Sequence, residues 1–466
     1  MPLVLGIDSS TQSTKALLVD AEDGTVVEQR TSPHPPGTAV DPRAWIGAVE
    51  EAAGPLLSRA DAVAVGGQQH GAVVLDEAGE PVRDALLWND LRSSGAARDL
   101  NEELGGAQAS ADLTGSVLSG SYTVTKLRWI RDHEPDAAER VHRVLLPHDY
   151  LTWHLGGRGE DPTTDRGDAS GTGYFSTRDD AWLPDVLERA LGRSAELPRV
   201  AAPAEEVARH GSTPIAPGTG DNMAAALGLG LRDGDVAVSI GTSGVASMVT
   251  SEPIADGTGA ISGFADATGQ FLPLACTING ARILELGARL LGVDHDGLAE
   301  LALGSVPGAN GLTLLPYLDG ERTPNRPEAA GTLHGLTTAT TREDLARAYV
   351  EGLLFSLADA VDALGEVSGR PPQRLLLIGG AARNAAVLAL APQVFEVPVV
   401  LPHPGEYVAL GAARQAAWVL SGADAPPHWD VATADLPTGE TVTDLRQDYS
   451  VLRDRTADWT TRKATS

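Results

Sequence analysis

The chain reads as an α/β protein of two related halves. Strand-length apolar runs are interspersed with helical patterns along its whole length. The stretch "LVLGIDSSTQSTKALLVD" (3–20) is an apolar run, a turn crowded with Ser, Thr and Gln, and a second apolar run. A stretch in the second half, "DVAVSIGTSGVASMVT" (235–250), repeats that form.

Both stretches read as β-hairpins whose tight turns present backbone N–H groups and hydroxyls. A strand follows in "ADAVAVGGQQHGAVVLD" (60–76), and "SYTVTKLRWIRDH" (121–133) has helical spacing. "VHRVLLPHDYLTWHL" (141–155) reads as a strand end feeding a helix, and "TPIAPGTGDNMAAALGLG" (213–230) as a strand, a Gly turn and an Ala-rich helix. The segment "GLGLRDGD" (228–235) marks the expected boundary, giving domains of residues 1–231 and 232–466.

In the second half, residues 340–369 carry the clearest helix. Thr340 and Glu343 fit a capping box, Leu345, Leu353, Phe355 and Leu364 fall on an apolar stripe, and Gly369 suits the stop. "RLLLIGGAARNAAVLALAPQVF" (374–395) reads as a buried strand, a Gly-Gly turn and a helix. Beyond about residue 422 comes a polar, Pro-rich tail with a last helix near 447–460.

With 466 residues the chain can bury two or more cores. A formal charge of −28 argues against a nucleic-acid partner, whose phosphates need a basic footprint. No apolar run approaches the roughly 20 residues that span a bilayer, and the N-terminus lacks the pattern of a secretory signal. The expected location is the cytoplasm, with no membrane partner. Cys276 is the only cysteine, and the eleven histidines never take a ligand-like spacing, so neither a disulfide framework nor a structural zinc is expected. Lysine is scarce: Lys15, Lys126 and Lys463 stand against a background of arginine.

The three Gly/Ser/Thr turns that follow apolar strands are candidate phosphate cradles, since backbone N–H groups in such turns bind anions. Neither a Gly-x-x-x-x-Gly-Lys-Ser/Thr loop nor a complete dinucleotide fingerprint occurs; Met223 stands where the latter needs glycine. Asp8 sits where a strand meets such a turn. It either caps that turn or holds a cation such as Mg²⁺ bridged to phosphates. Asp221 follows a strand and a Gly turn, and is either a helix N-cap or a base facing a cleft. Gln68, Gln69 and His70, with Trp88, Asn89, Asp90 and Arg92, place amides, an imidazole and a carboxylate at strand ends, a set suited to a polyol. "GERTPNRP" (320–327) is a polar turn that a structural role alone would explain.

Together these motifs resemble the FGGY family of sugar kinases, in the family's order, from residue 3 to about 420. "GIDSSTQSTK" and "SIGTSG" look like its two phosphate loops, "GQQHG" and "LWNDLR" like its sugar-side motifs, and "SYTVTKLRWI" carries its spaced Lys126 and Trp129. "GTGDN" looks like its catalytic segment, "GERTP" like its cleft turn, and "LIGGAARN" like its adenosine motif. Gln69 and Ser10 depart from residues frequent in the family, and neither change removes a catalytic group.

The resemblance implies two actin-like (RNase H-type) domains flanking an ATP/sugar cleft, the N-terminal one binding sugar and the C-terminal one nucleotide. It implies ATP and Mg²⁺ as cofactors and a small sugar as substrate: D-xylulose first, with ribulose, gluconate or glycerol as alternatives. Asp221 matches the family's general base and Asp8 the acid that positions the metal. Gln69, His70, Asn222 and Asp90 match its sugar side. Thr11, Gly241, Thr242 and Ser243 match its phosphate turns, and Gly379, Gly380, Ala381 and Asn384 its adenosine site. A homodimer is common among similar enzymes.

Overall fold

The computed structural model describes residues 1–159, 161–434, 436, 442 and 444–460. The remaining residues of the polar tail, Lys463 among them, lie outside the described residues. The chain forms two compact units that are not consecutive halves. The first comprises Met1–Leu231 together with Ser251–Leu272 and Gly405–Val431; the second holds Arg232–Thr250, Pro273–Pro404 and Ala432–Ser466. A simple division into 1–231 and 232–466 therefore misses two returning segments.

The first unit is built on strands β1 (Leu3–Ser9), β2 (Ser13–Asp20), β3 (Val26–Pro33), β4 (Ala62–Gly67), β5 (Ala208–His210), β6 (Thr213–Ile215) and β7 (Thr219–Gly220). They run in the order β5–β6–β4–β1–β2–β3, with β7 also paired to β4. As the first hairpin requires, β1 and β2 are antiparallel around residues 10–12, whereas β4 and β7 run parallel to their neighbours. Side chains of a strand alternate between faces, so neighbouring residues of β1 enter different cores. Val4 packs with Leu17, Val19, Ala62 and Ala64 against the Ala-rich helix Tyr407–Ser421. Leu5 and Ile7 pack with Val63, Val65, Trp45, Tyr150 and Leu151 on the opposite face.

Small residues let that Ala-rich helix approach unusually closely. A Cβ added at Gly6 would overlap the Ala409 carbonyl, one at Gly411 the Ala224 carbonyl, and one at Gly228 the Tyr407 carbonyl. Main chain thus meets main chain, both on β1 and on the helix Asp221–Gly228.

The second unit has strands β8 (Asp235–Ile240), β9 (Gly244–Met248), all but the first two residues of β10 (Phe271–Thr277), β11 (Arg374–Ile378), β12 (Val399–Pro402) and β13 (Thr433–Ala434). Their order is β10–β9–β8–β11–β12–β13. The second hairpin is β8–β9, antiparallel around residues 241–243, while β11 lies parallel to β8. The long helix covers Arg342–Ser368 and stops at Gly369 in the left-handed region, φ 65°. Its capping box is formed by Thr341 and Asp344, one residue beyond the predicted pair. The last helix, Gln447–Arg455, is shorter than the predicted 447–460. Among the described residues no helix is long and apolar enough to cross a membrane.

Candidate active site

In the first unit the parallel register brings three chain segments to one edge. Asp8 and Thr219 are both registered with Gly66, and Ser9 and Gly220 both with Gly67. The carboxyl ends of β1, β4 and β7 therefore lie side by side, where open α/β sheets bind ligands. Asp8 is the penultimate residue of β1, Gln69 and His70 follow β4, and Asp221 with Asn222 follows β7. Five sequence-predicted positions (8, 69, 70, 221 and 222) meet there.

Asp221 is the first residue of its helix, not its N-cap; that position belongs to Gly220. The Asp221 carboxylate accepts from the Asn222 backbone N–H at 2.8 Å and from Asn222 Nδ2 at 3.1 Å. Asn222 Nδ2 also donates to Gln69 Oε1 at 2.7 Å, while Gln69 Nε2 is buried with no partner. Burial, then the charges of Asp8 and Asp168, push the Asp221 carboxyl up to about 8.

Asp8 is 3 % exposed and accepts from the Ser10 hydroxyl, so it does cap its own turn. Burial pushes its carboxyl up to about 6; Ser10 and Lys15 work against that shift, and Glu406 with it. Lys15 pairs with Glu406 at 2.5 Å. No group of three or more His, Cys, Asp or Glu side chains that could hold a metal occurs among the described residues. One buried carboxylate nonetheless fits magnesium, which keeps waters and phosphate oxygens as its other ligands.

His70 takes φ 66°, and its ring lies 4.9 Å from Tyr122 and 5.7 Å from Phe264, with Nδ1 2.6 Å from the Gly171 carbonyl oxygen. Lys126, fully buried, donates to the Gly120 and Ser121 carbonyls at 2.9 Å each and so fixes the turn that carries Tyr122. Asp90 serves a different purpose from the other sugar-side candidates. Its oxygens are taken by Arg92 at 2.7 and 2.8 Å and by Thr38 at 2.7 Å, and the Arg92 guanidinium lies over the Trp129 ring. Thr11 accepts from Trp88 Nε1 at 2.9 Å.

Behind the site lies a buried cluster that motif reading passes over. His148 Nδ1 is 2.7 Å from Asp168 Oδ2, and its Nε2 is 3.2 Å from Asp149 and 3.8 Å from Asp165. Burial alone would push this imidazole down, but Asp149, Asp168 and Asp165 raise it to about 9. Asp165 caps a short helix and accepts from Thr219 Oγ1 at 2.7 Å, tying the cluster to β7. The one visible signal was two acids three apart in "TDRGDAS"; nothing local links them to His148.

In the second unit, the exposed turn Gly241–Ser243 ends β8, and Gly379–Gly380 ends its parallel neighbour β11. A Cβ added at Gly379, φ 96°, would lie 2.6 Å from the Ile240 carbonyl oxygen, so the two turns touch. Ala381 opens a short 3₁₀ turn, and Asn384 caps the helix Ala385–Val394, accepting at 3.0 Å from the Ala386 N–H.

Residues 3–228 match the N-terminal domain of the FGGY family of carbohydrate kinases, and residues 236–420 match its C-terminal domain. The chain belongs to the FGGY family of carbohydrate kinases. Among FGGY relatives, it is 47 % identical to the xylulose kinase of Streptomyces coelicolor, over 98 % of both chains. It is 33 % identical to that of Escherichia coli, over 82 % of each. The crystal structure of xylulose kinase from Bifidobacterium adolescentis superposes with a TM-score of 0.93 at 44 % identity, covering 97 % of this chain and 99 % of that one. Glycerol kinase from Plasmodium falciparum shares the fold at TM-score 0.86 and 17 % identity, covering 100 % and 99 %. The FGGY kinase described here thus has the two-domain, actin-like α/β architecture of the sugar kinases.

Proposed function

We propose that this kinase transfers the γ-phosphoryl group of ATP to D-xylulose, giving D-xylulose 5-phosphate. The observation that carries the reading is 47 % identity over 98 % of both chains to a relative named xylulose kinase. The geometry then suggests the role of each residue. Asp221 accepts the proton of the attacking sugar hydroxyl as that oxygen bonds to the γ-phosphorus and ADP leaves. A carboxyl raised to about 8 is a stronger base than an ordinary one and is matched to its task near neutral pH. Gln69, whose Nε2 lacks a partner, and Asn222, which bridges Gln69 to Asp221, orient the sugar. His70, held by Gly171 and by the rings of Tyr122 and Phe264, offers it a fixed wall. Asp90 supports this side through Arg92.

Phosphoryl transfer depends on positioning and charge neutralisation more than on covalent help. Thr11 and the turn Gly241–Ser243 present donors to the phosphates. Gly380, with nothing within 4 Å of an added Cβ, leaves open main chain for the adenosine between Gly379 and Ala381, with Asn384 fixing the start of the next helix. Asp8 is the residue that would hold Mg²⁺. When bound, that ion neutralises charge on the phosphate oxygens. The N-terminal domain accordingly binds sugar and the C-terminal domain nucleotide. Use of ATP supports a cytoplasmic location.

A coupled ADP-release assay over xylulose, ribulose, gluconate and glycerol tests the assignment. The highest kcat/KM belongs to xylulose; no turnover of xylulose would overturn it.

A further inference from the structure

Glu321, in the turn "GERTP", is 1 % exposed, a position in which a carboxylate is costly without partners. Its partners are all within the second unit and nearly all main chain. Oε1 accepts from the Ile278 N–H at 2.5 Å and the Arg322 N–H at 2.8 Å, and Oε2 accepts from Asn279 Nδ2 at 3.0 Å. Asn279 Nδ2 also donates to the Gly320 carbonyl at 2.8 Å, and Thr323 Oγ1 to the Cys276 carbonyl at 3.1 Å. The GERTP turn thus grips residues 276–279 from one side.

From the other side the same segment grips the turn Gly241–Ser243. The Gly280 N–H donates to the Thr242 carbonyl at 3.0 Å, and the Ala281 N–H to the Gly241 carbonyl at 2.8 Å. Ser243 Oγ donates to the Ile278 carbonyl at 3.3 Å, and the Gly244 N–H to Thr277 Oγ1 at 3.1 Å. Main chain lies directly on main chain here, because a Cβ on Gly280 would sit 2.6 Å from the Gly241 carbonyl oxygen. The Gly241 and Thr242 carbonyls are occupied from behind and the Gly241 N–H is bonded to the Ser243 carbonyl at 3.0 Å, which leaves the N–H groups of Thr242 and Ser243 for an anion.

We infer that Glu321 is a positioning residue for the 241–243 turn: it fixes residues 278–281, which set the direction of the turn's N–H groups toward the nucleotide phosphates. The inference rests on reading 241–243 as a phosphate turn. It concerns phosphate affinity alone, since the adenosine-side turn at 379–381 has no bond to Glu321. Glu321→Gln keeps the shape but turns an N–H₂ toward Asn279 Nδ2, setting donor against donor. Asn279→Asp sets carboxylate against carboxylate at the same point.

The test is the ratio of ADP to AMP affinity by calorimetry in the full-length protein, with kinetic constants alongside. In E321Q and N279D, ADP affinity and KM for ATP each worsen about ten-fold, while AMP affinity and KM for the sugar stay within about two-fold. Equal loss of ADP and AMP binding would make Glu321 a general structural residue and overturn the inference. Thr242→Pro removes an N–H of the turn itself. If T242P lowers the ratio and E321Q does not, the positioning role falls alone. If T242P leaves the ratio unchanged, 241–243 is not a phosphate turn and both fall.

Discussion

Asp8 and Asp221 stand at the ends of two strands that flank the same third strand, and both belong to the first unit. Asp8 and Thr219, the residue two before Asp221, share Gly66 as their registered neighbour. The Asp8 charge raises the electrostatic cost of ionising Asp221, and only Asp221 carries Asn222 and Gln69 beside it. Asp221→Asn therefore lowers kcat by about 10²–10⁴ while leaving ATP affinity nearly intact. Single-turnover kinetics with ATP binding measured separately checks this; full activity in D221N would remove the base role.

The raised Asp221 carboxyl has a kinetic consequence. As a base it must be ionised, so kcat/KM climbs with pH on the acid side, toward about 8 in the free enzyme. Burial is the larger cause, followed by Asp8 and Asp168. Asp168→Asn deletes one of those negative charges, so the acid limb moves to lower pH. An unmoved or alkaline-shifted limb would show that Asp168 does not act on the base.

Sequence and structure part where contacts depend on tertiary placement. The hairpins, the Ala-rich helix after Asp221 and the strand–Gly-Gly–helix unit were visible because periodicity and turn residues are local. The cap of the long helix was misplaced by one residue because two overlapping frames, Thr340–Glu343 and Thr341–Asp344, both fit. The Thr340 hydroxyl is taken by the Thr337 N–H at 3.0 Å, which leaves Thr341 as the cap. The Asp168–His148 pair depends on how the helix Pro147–Leu155 packs behind Gly67, and no spacing encodes that. Nor does composition tell which sheet the Ala-rich segment after residue 405 will cover.

Lys126 offers a linkage test with a defined sign. Burial pulls its amine down to about 7, with Asp90 opposing, so the folded state releases this proton earlier than the unfolded chain does. Between about 7 and the ordinary lysine value near 10.4, the unfolded state binds more protons. The lysine's contribution to stability therefore rises with pH there, by at most about 1.4 kcal/mol per unit. Lys126→Met removes the term. Wild type gains on K126M as pH rises from about 7 to 10 in denaturant titrations; a flat difference would mean the amine is not perturbed. Freed from its two carbonyl contacts, the turn carrying Tyr122 loosens, so K126M also raises KM for the sugar more than for ATP.

A single helix, Tyr407–Ser421, braces both acids, and glycine is what lets it do so. It meets β1 at Gly6, two residues before Asp8, and meets the Asp221 helix where Gly411 faces Ala224 and Gly228. Gly411→Ala drives a methyl group into the Ala224 main chain, which no rotamer change can relieve. The two helices must separate, at a cost of about 1–3 kcal/mol or more, and Asp221 moves relative to Asp8. Because a displacement near 1 Å can cost about 100-fold in rate, kcat falls further than stability alone explains. Gly47→Ala is the matched control: it lies within the helix Arg43–Ala52, with nothing within 4 Å of its added Cβ. That change stabilises by about 0.5–1 kcal/mol and leaves kcat unchanged. Thermal unfolding and steady-state kinetics on the two variants separate the effects, and a G411A enzyme with wild-type kcat would show that this helix does not set the spacing of the acids.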